Sequence, residues 1–284
     1  MQKDFHFYVT YALAKKAGYS EGDAATIAWA DEYTDRQTDE DIYEVQTQCP
    51  KLDRWDDPQI QFTVLVPFHF IPGDDGEWPW KTTQNSPRVQ KLIKAAEESQ
   101  DLCRLSITLH ALQDTFSHQG FSGWREKRNS CYPWYYLKSL LPNVGHTEML
   151  AMPDMVDRVW HDPRTNKKID NRRLALAAAE ATYKSLLRAR GNGASATTWT
   201  SLKQKLRAVF KLEDYNTRKS ELRKFSDNPN IDYVKTDKKI GKRKEAAFVR
   251  AASAHLSATV STFEASSSTF MKITGSVWSL AVQE

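Results

Sequence analysis

The sequence predicts a mainly α-helical, metal-binding fold, and three observations carry that prediction. Apolar residues recur at helical spacing along most of the chain. Capping residues, glycines and prolines punctuate those stretches where helices start and stop. One stretch, LHALQDTFSHQGF, sets His110, Asp114 and His118 at i, i+4 and i+8.

The elements follow in order. Residues 4–17 (DFHFYVTYALAKKA) read as a helix ended by Gly18, glycine being the residue that best tolerates a left-handed C′ position. Ser20-Glu-Gly-Asp23 resembles a capping box and opens a second helical stretch, EGDAATIAWADEYTD. The segment IQFTVLVPF has β character and reads as a short strand or an extended arm. Residues 71–87 read as a loop by their Pro and Gly content. From Pro87 to Ser117 the pattern is helical again, with a break near Ser99–Asp101, and Gly120 and Gly123 end it. Residues 129–145 read as a loop with a short helix. Asn171–Arg190 is a strong helix stopped at Gly191, and 199–225 and 242–275 read as further helices. No internal repeat is visible.

With 40% apolar and 27% charged residues over 284 positions, the chain can build a sizeable core, and wholesale disorder is excluded. The net charge of +4 is unevenly spread. Residues 21–57 carry twelve acids against three bases, which suits cation binding. Residues 203–250 carry fifteen Lys/Arg against seven Asp/Glu, which suits an anionic surface or, more blandly, a solvated helical face. Cys49, Cys103 and Cys131 form no CxxC pair, so a cysteine zinc site is not expected and reduced thiols are. Neither an apolar signal segment nor a run of 18 apolar residues is present. The expected location is cytoplasmic, or exported without a classical signal peptide.

The chemistry centres on His110, Asp114 and His118. Four residues advance an α-helix by 400°, so each of the three is offset by only about 40° from the last and all face one side. Leu105, Leu109, Leu112 and Phe116 place that strip on a buried helix. A carboxylate there needs partners, and a divalent cation shared with neutral imidazoles supplies them. A buried, hydrogen-bonded His–Asp pair is the alternative. His6 (DFHF), His69 (PFHF, pinned by Pro67 and Pro72) and His146 (after Gly145) sit in apolar or rigid settings and extend the ligand set. His161 and His255 read as an exposed turn and a helix-packing residue.

LHALQDTFSHQGF resembles the zinc-dependent phospholipase C/P1 nuclease family. QKDFH, PFHFIPG and a His146-centred GH-x7-D pattern also resemble a bacterial family that forms a distant branch of that fold. The resemblance covers roughly residues 1–190. It implies that His110 and Asp114 bind one metal with His69 and an acid of the second helix, Asp35 ahead of Asp31. It further implies that Asp114 bridges to a metal near His6, and that His118 and His146 hold another ion with Asp154 or Glu148, Asp154 being favoured. Two positions depart from the family pattern: Met1 stands where its enzymes present a Trp backbone ligand, and Leu150 stands where they carry a Glu.

The expected division is therefore a metal-binding helical hydrolase domain over 1–195 and a basic helical extension over 196–284, packed on it. The expected cofactor is zinc, one to three ions, with manganese or iron as alternatives. The expected reaction is phosphoester hydrolysis by metal-activated water, with Asp35 or Asp31 as catalytic carboxylate. A phospholipase C-like substrate stands first and single-stranded nucleic acid second. The aromatics Trp78, Trp80, Trp124, Trp134, Tyr135 and Tyr136 are candidates for the site mouth. A non-enzymatic alternative is a structural metal site in a module that binds a protein partner through 199–284.

Overall fold

The structure, a computed structural model, describes residues 1–38, 45–49, 51–73, 78–131, 142–191 and 198–264. It is mainly helical. A π-helical segment, Asp4–Val9, runs directly into α1 (Thr10–Lys16), and α2 (Glu21–Thr34) follows. Gly18 takes φ +90° and ends the first helix. Ser20 caps α2 by accepting from the Asp23 amide at 3.1 Å. After the short α3 (Pro58–Ile60), the chain enters a second π-helical segment, Gln61–His69.

This second segment corrects the strand expected for IQFTVLVPF. The run is apolar on nearly every side, so its periodicity cannot separate a strand from a buried helix. Eight of its nine residues are buried. Pro67 has no N–H to close an ordinary helical bond, and the wider π turn accommodates it.

α4 (Pro87–Glu98) and α5 (Leu102–Ser117) are separated at the expected break. Asp101 caps α5 by accepting from the amides of Cys103 and Arg104. β1 (Val159–Asp162) and β2 (Lys167–Asp170) form an antiparallel hairpin, the one sheet among the described residues. The chain ends in α6 (Asn171–Arg190), α7 (Trp199–Val209), α8 (Tyr215–Phe225) and α9 (Tyr233–Glu264). α9 starts nine residues earlier than its apolar pattern alone suggests. Residues 265–275 of that expectation lie outside the described residues, as does most of the expected short helix within 129–145.

α5 is the axis of the molecule. From Cys103 to Ser117 it is buried almost without interruption, enclosed by α2, α4, α6 and α9. A single apolar cluster joins Phe5, Leu13 and Trp29 to Leu109, Leu186, Leu206, Leu222 and Phe248. Residues 198–264 thus contribute to the same core, which also takes in Phe210 and Phe225. All three cysteines are free and buried. Among the described residues, no helix is long and apolar enough to cross a membrane.

Candidate metal centre

A helix buried on all sides must satisfy every polar group it carries, and α5 carries His110, Gln113, Asp114, Thr115 and Ser117 inside the core. Around them gather His6 from the first π segment, Asp31 and Asp35 from α2, His69 at the end of the second π segment, His118 at the C-cap of α5, and His146 and Asp154 from the loop before the hairpin. His6 and His69 both reach the centre from π-helical backbone. Such widened turns re-aim side chains and often mark functional positions.

Asp114 is the hub. Its Oδ1 faces the Met1 nitrogen and His6 Nε2, the latter at 3.3 Å. Its Oδ2 lies 3.2 Å from His69 Nδ1, 3.3 Å from His110 Nε2 and 3.8 Å from His118 Nδ1. The Met1 nitrogen is also 3.3 Å from Asp154. Asp154 takes His118 Nε2 at 2.9 Å on one oxygen and His146 Nε2 at 3.3 Å on the other.

Each imidazole is oriented from behind. His110 donates from Nδ1 to the Asp31 carbonyl at 2.9 Å. His69 donates from Nε2 to the Thr47 carbonyl at 2.9 Å, His118 from Nδ1 to the His69 carbonyl at 2.8 Å, and His146 from Nδ1 to the Leu150 carbonyl at 2.8 Å. His6 donates from Nδ1 to Gln113 Oε1 at 2.7 Å, with Asp31 Oδ1 at 3.0 Å. These acceptors assign the tautomers, and the remaining nitrogen of every ring points inward. This is how metal-ligating imidazoles are usually held.

Whether the set fits a cation can be judged from spacing and from what is left over. Two ligand atoms each about 2.0–2.1 Å from a tetrahedral ion lie about 3.3 Å apart. The shorter inward contacts fall between 2.9 and 3.3 Å, including His110 Nε2 to His69 Nδ1 at 3.2 Å, and Asp35 stands further off, 3.7 Å from both His69 Nδ1 and His110 Nε2. His6 Nε2 is buried and has no hydrogen-bond partner. Three ligand groups emerge: His6, His110 and Asp114; Asp35, His69 and His110; His118, His146 and Asp154. The donor set is nitrogen and carboxylate oxygen with no sulfur. The residues fit a divalent ion.

The protonation pattern agrees. Burial and the Met1 amine push His6 down, yet the carboxylates of Asp114 and Asp31 beside it outweigh them and hold it well above the usual range. Burial and His6 likewise oppose His110, but Asp114 and Asp35 raise it to about 9. Burial lowers and Asp114, Asp154 and Asp35 raise the Met1 amine, which ends at about 11. Burial raises Asp114, but the Met1 amine, His118 and His110 hold it well below the carboxylate range. Burial also raises Asp154, which the Met1 amine, His146 and His118 hold down in the same way. The carboxylates thus demand positive charge in the middle of the site.

The site opens on one side. Asp35, His146 and Asp154 keep 26%, 15% and 18% of their side chains accessible, whereas His6, Asp31 and His110 keep none. A cavity of about 130 Å³ is lined by Met1, Asp35, His69, Asp114, His118, His146 and Asp154, with Gln48, Trp55, Leu65 and Phe70 as its wall.

Several expectations need correcting. Asp31 does not face the cavity. It lies behind His6 and His110 and is tied to Thr10 Oγ1 at 2.7 Å and Gln113 Nε2 at 2.9 Å, so it orients imidazoles and cannot reach a substrate as a catalytic carboxylate. Glu148 turns away to accept from the Cys131 amide at 2.6 Å, leaving Asp154 as the acid beside His146. Trp80 and Trp124 stack on each other at 5.1 Å and pack with Phe263 and Trp78 in a separate cluster, because Phe62 and Val66 offer them an apolar bed away from the cavity. Trp134, Tyr135 and Tyr136 lie outside the described residues. His161 is exposed, on β1 and not in a turn. His255 is a packing residue, bonded to the Pro67 carbonyl at 2.9 Å and to Thr108 at 3.1 Å.

Sequence reasoning misses Gln113 and Trp55. Gln113 is a buried polar residue beside Asp114, a signal that the helical pattern contains. Trp55 precedes the apolar run IQFTVLVPF and lacks any local mark of a cavity wall.

Fold and site together define a mainly helical protein with a buried His/Asp cluster able to hold metal. The chain belongs to the family of unknown function DUF6765, which matches residues 1–280 and so spans the helical extension as well. No curated protein matches the chain. No solved structure matches it either.

Proposed function

We propose that this chain is a metal-dependent hydrolase of phosphoesters, with zinc as its first candidate ion and a cluster of up to three ions as its reacting centre. The observation that carries the reading is that His110 belongs to two adjacent ligand groups, with Asp114 within 3.3 Å of His6, His69 and His110, beside a cavity that admits solvent. A structural metal site would be closed on all sides. Asp35, His146 and Asp154 leave this one open.

Bound divalent ions supply Lewis acidity, which activates water near neutral pH and offsets charge on a phosphoryl group. Asp35 is the more accessible of the cavity's carboxylates, held by Gln48 Nε2 at 3.3 Å. It accepts the proton of the attacking water as the water oxygen bonds to phosphorus. The phosphorus–oxygen bond to the alcohol then breaks, and the departing oxygen takes a proton from solvent. Asp31 and Gln113 keep His6 and His110 in register throughout. Trp55, Leu65 and Phe70 limit the width of the group that can enter.

The family resemblance favours a phospholipase C-like substrate. One observation favours the second reading, a nuclease preferring single strands: the cationic outer face of α9. The test compares hydrolysis of a chromogenic phosphocholine ester with that of single-stranded DNA, each with and without EDTA. Elemental analysis of the purified protein accompanies it, repeated on His110→Ala and Asp114→Ala. Metal that disappears in both variants, together with EDTA-sensitive hydrolysis of either substrate, supports the reading. Unchanged metal content in both variants, or hydrolysis indifferent to EDTA, overturns it.

A further inference from the structure

Charges on α9 are sorted by side. Lys235, Lys238, Lys239, Lys242, Arg243 and Arg250 are all exposed. At 3.6 residues per turn they share an arc of about 140° and extend about 22 Å along the axis. The two acids of the same stretch face inward instead. Asp237 accepts from Trp29 Nε1 at 2.8 Å, and Glu245 accepts from the Tyr33 hydroxyl at 2.9 Å, both on α2. Gly241 permits that close approach, since a side chain there would strike Asp237 and near Trp29.

The exposed cations have no ion-pair partner among the described residues. Elsewhere on the surface some bases are paired, Lys94 with Glu98, Lys184 with Glu180, Lys224 with Glu221 and Arg188 with Glu97, while single exposed bases such as Lys91, Lys167 and Lys211 stand alone among the described residues; on α9 the unpaired cations form a row. A merely solvated face would be expected to mix signs in that way. On α9, Lys235 and Lys239, Lys238 and Lys242, and Lys239 and Arg243 stand instead as like-charged i, i+4 pairs, which weaken a helix. The apolar side of α9, including Phe248, Ala251, Ala252 and Phe263, is consumed by the core. Ala246 and the half-buried Val249 are the apolar residues within the cationic arc, with Val234 exposed at its edge, too little apolar surface to hold the helix in a bilayer.

We infer that the outer face of α9 binds the phosphate backbone of a polynucleotide, by charge and without sequence preference. A rigid row of cations faces a polymer with closely spaced phosphates, and release of its counterions drives the association. The surface lies on the far side of α9 from its contacts with α2 and does not use the metal centre.

The test is fluorescence anisotropy of a labelled single-stranded oligothymidylate with the full chain in EDTA, over a series of salt concentrations. The same titration is run on Asp114→Ala and on the triple variant Lys238→Gln, Lys239→Gln, Lys242→Gln. The expected salt dependence of log K is steep, with a slope of about −4 for six phosphate contacts on a single strand. The triple variant should bind at least about 10-fold more weakly and flatten the slope by about 2. Asp114→Ala should bind like the parent, which separates this inference from the hydrolase reading. Equal binding by the triple variant overturns the proposal, as does absence of binding at low salt. Co-sedimentation with anionic phosphatidylglycerol vesicles without oligonucleotide binding overturns it too.

Discussion

His110 Nε2 and His69 Nδ1 face each other across 3.2 Å, while the opposite nitrogen of each ring donates to a backbone carbonyl, of Asp31 and of Thr47. Two neutral imidazoles so arranged would point lone pairs at each other. The arrangement is stable only with positive charge between or upon them. A proton on His110, raised to about 9, is one solution, and a divalent cation is the other.

Replacing Asp31 by Asn keeps the volume and removes the charge behind His6 and His110. Metal affinity should fall by roughly 10- to 100-fold, as for other carboxylates behind ligating histidines, with the helical circular dichroism unchanged. Competitive titration with a chelating dye checks it. Parent-like affinity would mean that the backbone carbonyl of Asp31 and Gln113 suffice to orient the rings.

Arg218 on α8 joins distant parts of the chain. Its guanidinium meets Asp4 at 2.8 Å and Asp157 at 3.1 Å, and it donates to the carbonyls of Leu212 and Glu213, all in a site where its side chain is 2% exposed. Asp4 is two residues before His6, and Asp157 three after Asp154. Arg218→Met should leave the buried Asp4 unpaired and Asp157 with only Arg158 at 3.5 Å, and cost about 3–5 kcal/mol in urea unfolding. Adding Asp4→Asn to that variant should recover part of the loss, because the stranded charge disappears.

His255 provides a pH dependence whose sign is set by burial. Burial lowers it from 6.5 to about 4. The unfolded chain therefore binds a proton between these values that the folded chain refuses. Stability from this residue is complete above about pH 6.5, declines as the pH falls, and is gone below about 4, a loss of about 3 kcal/mol. Urea unfolding at pH 7 and pH 4.5 should show a smaller drop for His255→Gln than for the parent. Parallel drops would remove His255 as a source.

Leu150 sits at φ 52°, ψ −135°, a conformation that favours glycine, and is 69% exposed. Its carbonyl holds His146. Leu150→Gly removes the backbone strain at little cost in burial, and should raise stability by about 1 kcal/mol while retaining metal content. A lower melting temperature would show that the leucine side chain contributes more than its backbone costs.

The sequence by itself determines most of the helices, because apolar spacing, the Ser20 and Asp101 caps and the Gly18 and Gly191 stops are local properties. It also determines that His110, Asp114 and His118 share a face, since helix geometry alone sets that angle. Only the tertiary structure decides which way IQFTVLVPF folds, because an apolar run enclosed on all sides carries no periodic signal. The division of labour between Asp31 and Asp35 is tertiary as well. Both lie at the end of one helix, and what separates them is that Thr10 and Gln113 close over the first while the cavity opens at the second. The acid beside His146 is chosen in the same way: Cys131 and Ser130 take Glu148, and the chain brings Asp154 to the imidazoles. Local sequence sets the angle at which a side chain leaves its own backbone, but what it meets there depends on segments tens of residues away along the chain.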